Sequence, residues 1–117
     1  MTRDDMKAIV ERMYAAANAG DLDAVEEIFA PDFYSHPMGT TGTEAVTNAW
    51  RDIRERYPDL RVTIEDMLID GDKIALRSTV HGAAGADGRQ DPALMEMIRV
   101  ADGRVTEVWG LTGMVWR

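Results

Sequence analysis

Glu96 is a carboxylate in apolar company. In Ala93-Leu94-Met95-Glu96-Met97-Ile98-Arg99-Val100, strand alternation puts Leu94, Glu96, Ile98 and Val100 on one face and Met95, Met97 and Arg99 on the other. An acid facing an apolar interior is poorly solvated when ionised, so its pKa rises. A carboxyl that keeps its proton near neutral pH can donate to a developing oxyanion or act as a general acid. The plainer alternative is a structural Glu paired with Arg99, Arg77 or another base, and the pattern leaves both open.

His36 is the second titratable candidate. It ends a short extended segment ahead of Pro37-Met38-Gly39, and by alternation Tyr34 lies on its side. A strand end over a pocket suits a base, and imidazole titrates near physiological pH. A loop His bonded to backbone is the alternative. Arg77, Thr79 and His81 share one strand face, and Leu76, Ser78 and Val80 the other. A mid-strand Arg77 wants a carboxylate partner, for which Glu96 is one candidate. Trp50, Trp109 and Trp116 could line a pocket for flat molecules or simply fill a core. His36 and His81, with no accompanying carboxylate cluster, do not make a metal site, so no metal is expected. No Gly-rich phosphate loop, nucleophile elbow or HExxH motif is present.

These residues need elements to position them. Met6, Ile9, Val10, Met13, Tyr14 and Ala17 recur at helical spacing, and Gly20 suits the left-handed C-cap. Asp21 suits the N-cap of a shorter helix with Leu22, Val25, Ile28 and Phe29 inward, stopped at Ala30-Pro31-Asp32. Residues 33–36 are then extended, because Pro37 pushes His36 from helical angles. Thr41 and Glu44 have capping-box spacing and open a third helix carrying Val46, Ala49, Trp50, Ile53 and Tyr57, closed by Pro58. Residues 60–69 and 74–81 read as strands across an Asp70-Gly71-Asp72 turn, and 93–100 and 104–115 as a second pair across Ala101-Asp102-Gly103. Residues 82–91 are the least patterned and a candidate lid. Helices followed by a meander of strands mean an α+β fold, a curved sheet against helices that can enclose a small-molecule pocket.

The whole-chain figures narrow the function. The 117 residues include 13 Lys and Arg against 21 Asp and Glu, a net charge of −8, and no Cys. One ordinary domain is expected. Disulfides and thiolate metal sites are excluded. A phosphate backbone or anionic membrane would demand a basic surface, so neither nucleic acid nor membrane is an expected partner. No apolar run is long enough to span a bilayer, and the Met1-Thr2-Arg3-Asp4-Asp5 start lacks signal-peptide order, so a cytoplasmic location is the default expectation.

Several segments in order carry a family likeness. Tyr14-Ala15-Ala16-Ala17-Asn18-Ala19-Gly20-Asp21-Leu22-Asp23, Ile28-Phe29-Ala30-Pro31-Asp32-Phe33, His36-Pro37 with Gly39, Thr41-Gly42-Thr43-Glu44, Tyr57-Pro58-Asp59-Leu60, Ile64-Glu65-Asp66, Gly71-Asp72-Lys73-Ile74-Ala75-Leu76-Arg77 and Asp102-Gly103-Arg104-Val105-Thr106-Glu107-Val108-Trp109 together resemble the nuclear transport factor 2-like proteins. The Tyr-Pro-Asp-Leu and Glu-Val-Trp portions are most similar to the SnoaL-like polyketide cyclase branch. The resemblance covers nearly the whole chain and implies one domain over residues 1–117. It implies an α+β cone in which three N-terminal helices cover a strongly curved, mainly antiparallel mixed sheet around an apolar pocket.

Proteins of this kind include polyketide cyclases, ketosteroid isomerases and epoxide hydrolases, as well as non-enzymatic binding proteins, and most need no cofactor. Fold alone therefore does not choose the function. By the resemblance, His36 matches the isomerase proton-transfer base, and Glu96 the oxyanion-binding acid or the pocket His of the cyclases. Met13 stands where the isomerases carry an oxyanion-donating Tyr, with Tyr14 one position off and expected to point elsewhere. Thr112-Gly113 occupies the place of the cyclases' acid after the last-strand Trp.

The expectation is a cofactor-independent cyclase or isomerase working by aldol or enolate chemistry on a small apolar carbonyl compound. His36 would move the proton and Glu96 stabilise the enolate oxygen, while Tyr14, Tyr34, Trp50, Arg77, His81 and Trp109 shape the pocket. The alternatives are a non-catalytic binding protein using the same pocket and an epoxide hydrolase-like enzyme. The resemblance also implies a homodimer through the outer sheet face.

Overall fold

The computed structural model describes residues 1–83, 85 and 91–114. Most of the candidate lid over 82–91, and Trp116, lie outside the described residues.

Helix α1 (Arg3–Ala19) follows the apolar stripe read above, burying Met6, Val10, Met13 and Tyr14. Its start is a capping box between Thr2 and Asp5 that the sequence reading overlooked. Gly20 closes it in the left-handed conformation, φ 67°. A 3-10 turn, Leu22–Ala24, runs into the single-turn α2, Val25–Ile28. Asp21 stands at the N-cap of that turn, but its side chain makes no capping bond. Phe29 is already strand: β1 spans Phe29–Ser35, passing through Pro31. After the short β2 (Thr40–Thr41) comes α3, Glu44–Arg56. The expected Thr41–Glu44 capping box does not form: Thr43 is the N-cap, without a side-chain bond, and Thr41 pairs with Tyr34 in β2.

Strands β3 (Arg61–Asp70), β4 (Lys73–His81), β5 (Ala93–Ala101) and β6 (Arg104–Thr112) complete one six-stranded sheet ordered β2-β1-β6-β5-β4-β3. Every neighbouring pair is antiparallel except β1 with β6. The fold is the expected α+β arrangement of helices on a mixed sheet. No helix of the described residues is long and apolar enough to cross a membrane.

Two bulges set which residues look inward. A strand with unbroken alternation keeps one parity inside. In β3 the partners step from Ile64↔Ser78 to Asp66↔Arg77. One residue is extra there, so Ile64, Met67 and Ile69 all pack on the core despite their mixed parity. In β6 the partners step from Val105↔Val100 to Glu107↔Arg99, leaving Thr106 extra. Val105 and Val108 are therefore both buried, and Glu107 and Trp109 turn to the outer face.

The core between sheet and helices is built from Val10, Val25, Ile28, Phe29, Phe33, Val46, Ile74, Leu76, Ile98 and Val105, among others. Burial of this apolar surface drives the packing. Two polar clamps fix the helices to it. The Asn18 amide donates to the Val62 carbonyl at 2.9 Å and accepts the Val62 N–H at 2.8 Å, satisfying the free side of edge strand β3. Arg54 donates to the carbonyls of Ala17, Asn18, Pro58 and Leu60 at 2.8–3.0 Å, joining the C-terminal ends of α1 and α3.

Candidate active site

Helices α1 and α3 meet the inner sheet face around a cavity of about 330 Å³, at the small end of ligand pockets. Its wall includes Met13, Phe29, Phe33, Val46, Trp50, Ile53, Leu60, Val62, Leu94 and Val108. Into this apolar wall comes one ionisable acid, Glu96.

The position of Glu96 follows from the alternation of β5. Leu94, Glu96, Ile98 and Val100 face the helices, while Met95 and Met97 are exposed on the other side. Directly across the ladder Glu96 pairs with Gly110. A β-carbon on Gly110 would lie 3.4 Å from Cγ of Glu96, so the absence of a side chain there leaves the acid its space.

Tyr14 reaches the acid from α1. Its hydroxyl donates to Glu96 Oε1 at 2.6 Å and lies 3.0 Å from Ser78 Oγ on β4. The phenol has one proton, committed to an ionised Glu96, so Ser78 is then the donor to Tyr14. The chain Ser78→Tyr14→Glu96 polarises each bond in turn. Burial pushes the Glu96 carboxyl above its usual range, and the Tyr14 hydrogen bond pulls it part of the way back. Burial, followed by the charge of Glu96, pushes the Tyr14 hydroxyl far up, so the phenol stays protonated. The result is a carboxyl tuned towards neutrality, held on one oxygen by a phenol.

The other expected site residues divide between the two sheet faces. Tyr14 and Trp50 line the cavity; Tyr14 points at the acid, where displacement from the isomerase position had suggested otherwise. Tyr34, His36, Trp109, Arg77 and His81 do not line it. In β1 Phe29, Ala30, Phe33 and Ser35 are buried; from Phe33 onward alternation holds, so Tyr34 and His36 face outward. His36 stacks on Trp109 with ring centroids 4.6 Å apart, and its Nε2 lies 2.6 Å from Glu107 Oε2. Glu107 also accepts from Arg99 at 2.7 Å. Trp109 is outside because of the Thr106 bulge. Arg77 pairs with Asp66 at 2.7 Å rather than with Glu96. His81 Nε2 lies 3.0 Å from Thr63 Oγ1, and its Nδ1 is 3.6 Å from Asp91. His36 and Glu96, expected to act on one substrate, do not face one cavity: the sheet separates them.

Sequence reasoning missed Ser78 and Gly110. Ser78 was legible as a polar residue on the face of Leu76 and Val80. Gly110 carried no signal without its partner across the ladder.

Comparison with known proteins places the chain in a family. The model of the SnoaL-like domain family matches residues 10–108. Among proteins with curated functions none matches the chain. The structure of TsrD from Streptomyces laurentii is similar, with a TM-score of 0.82, 26% identity, and coverage of 96% of this chain and 90% of that one. A protein from Bacillus cereus, named as a candidate polyketide cyclase, superposes with a TM-score of 0.81 at 27% identity, over 96% of this chain and 78% of that one. IdmH from Streptomyces antibioticus, also named as a candidate polyketide cyclase, gives 0.76 at 27% identity, over 91% and 90%.

Proposed function

The chain belongs to the SnoaL-like domain family, and we propose that it is a cofactor-independent proton-transfer enzyme of the cyclase or isomerase kind, acting on a small apolar carbonyl compound. The observation that carries this reading is the Tyr14-held Glu96 carboxyl in an otherwise apolar cavity. The candidate cyclases among the structural relatives support the reaction class.

Glu96 is the base. A carbon acid seated in the cavity gives its α-proton to the carboxylate, and the C–H electron pair becomes the enolate. Tyr14 holds Oε1, which leaves the acceptor role to Oε2; that oxygen has no hydrogen-bond partner among the described residues. In a cyclisation the enolate carbon attacks a second carbonyl carbon of the same molecule, and protonated Glu96 returns the proton to the new alkoxide. In an isomerisation the proton returns at another carbon. Both steps are redox-neutral. A base matched to the working pH is most effective, and the raised Glu96 carboxyl moves towards that match. His36, on the outer face, takes no part in this step.

The test is α-hydrogen exchange in deuterated buffer, followed by NMR, on neutral aryl ketones such as tetralone and methyl naphthyl ketone. Wild type should accelerate exchange, and Glu96→Gln should lose about 10²-fold or more of that acceleration. His36→Ala should keep it. Equal exchange by wild type and Glu96→Gln removes the assignment. Tight binding of the ketones without exchange by wild type would make the chain a binding protein instead.

A further inference from the structure

Whether Glu96 reacts or only binds, the wall around it also constrains the ligand. Resting on the reading of this cavity as the reacting site, we infer that its substrate is an uncharged molecule of one or two rings with its polar group at one end. Free acids, acyl phosphopantetheine or coenzyme A thioesters, and many-hydroxyl polycyclic compounds are excluded.

Three observations carry this. The first is the polar content of the wall. Besides Glu96 and Tyr14, the polar side chains lining the cavity are Asn18, Ser35, Arg54 and Thr112, together with the Trp50 indole. Asn18 spends both amide atoms on the Val62 backbone. Thr112 donates to the Ala93 carbonyl at 3.0 Å, and Ser35 Oγ takes the Met38 N–H at 3.3 Å. What remains for a ligand is the Glu96 carboxyl and neutral donors. An additional polar group on the ligand would lose water and gain little.

The second observation concerns charge. Arg54 is the one cation among the described wall residues, and its two Nη atoms are bonded to four backbone carbonyls at the ends of α1 and α3. A ligand carboxylate or phosphate could take the Nη donors only by uncoupling those ends. The same anion would share an apolar cavity with Glu96, against like-charge repulsion in a poorly screened site. The net charge of −8 acts in the same direction at long range.

The third is size. A cavity of about 330 Å³ is near the lower bound of small-molecule pockets. Tyr14 and Glu96 form one polar pair in the wall, whereas Phe29, Phe33, Ile53 and Val62 offer only apolar contact. A substrate of this class must reach the protein already released from any charged carrier. Hydrolysis from a thioester carrier leaves a carboxylate, so the preceding reaction has to be a decarboxylation or an esterification that removes or masks that charge.

Isothermal titration of the wild-type chain with four probes tests this: methyl naphthyl ketone, naphthol, naphthoate and trihydroxyanthraquinone, at neutral pH. The neutral two-ring probes should bind at least about tenfold more tightly than naphthoate, which has the same rings and a charge, and more tightly than the anthraquinone. Glu96→Gln, which removes the negative charge, should narrow the gap between the ketone and naphthoate. Naphthoate binding as tightly as the ketone, or preference for the anthraquinone, overturns the inference. The two readings fail separately. Selective ketone binding without α-hydrogen exchange sinks the enzyme and leaves the ligand class. Exchange that is indifferent to charge and ring number sinks the ligand class and leaves the enzyme.

Discussion

Tyr14 and Glu96 stand 82 residues apart in the chain and 2.6 Å apart in space. One comes from the first helix and the other from the middle of β5, and their bond crosses the cavity wall between the two layers of the fold. It ties the site chemistry to the packing of α1 on the sheet, since any movement of that helix changes the environment of the acid.

Removing the phenol hydroxyl should therefore move a titration. In Tyr14→Phe the hydrogen bond that lowers the Glu96 carboxyl is gone, while the burial that raises it remains. The carboxylate form is needed to take a proton, so the acid limb of the exchange-rate profile should shift to higher pH. Ser78 Oγ and Glu96 Oε1 also lose a partner, for a stability cost of about 1–3 kcal/mol. A pH–rate profile and a urea titration read the two effects, and an unmoved acid limb would show that the bond does not tune the acid.

Glu96 should also leave a mark on stability against pH. Its folded-state pKa lies above the unfolded value, so the native chain holds the proton more tightly. Its contribution is therefore most favourable below the ordinary carboxyl value. Stability then falls as pH rises through the window up to the raised value, and is level beyond it. Glu96→Gln has no such group. Its advantage in Tm over wild type should grow as pH rises above the ordinary carboxyl value, while the other carboxylates affect both chains alike. A gap that stays constant over that rise would contradict the raised carboxyl.

Gly82 and Gly71 separate backbone strain from steric conflict. Both have positive φ, 85° and 60°. A β-carbon on Gly71 meets nothing within 4 Å, whereas one on Gly82 would lie 2.8 Å from the Asp59 carbonyl oxygen. Gly71→Ala should cost about 1 kcal/mol, the price of a left-handed residue. Gly82→Ala should cost about 2 kcal/mol or more, because two backbone segments must separate as well. Urea midpoints give both values, and equal costs would mean that the 58–60 segment yields freely.

Helix and strand identity was written in local spacing. The α1 stripe at 6, 9, 10, 13, 14 and 17, the alternation around Glu96 and the turns at Gly71 and Gly103 depend on neighbours in sequence, and each element appears where those patterns put it. Family likeness supplied the order of the layers. The inward direction of Glu96 followed too, because its strand alternates without interruption up to Arg99.

Which face of the other strands met the helices was decided only by the tertiary structure. In β6 a single extra residue, Thr106, reverses parity and carries Trp109 and Glu107 outside, where they collect His36 and Arg99. A bulge leaves no local signature strong enough to read, since its cause is the partner strand's register. In β1 the alternation of buried Phe33 and Ser35 carries His36 outward, although a strand-end imidazole had suggested a base over the pocket. The Ser78–Tyr14–Glu96 chain likewise joins three elements that no spacing connects. Composition and periodicity determined an apolar interior with one acid in it. Only the closure of α1 over β4 and β5 determined that a phenol, and not a histidine, would be its partner.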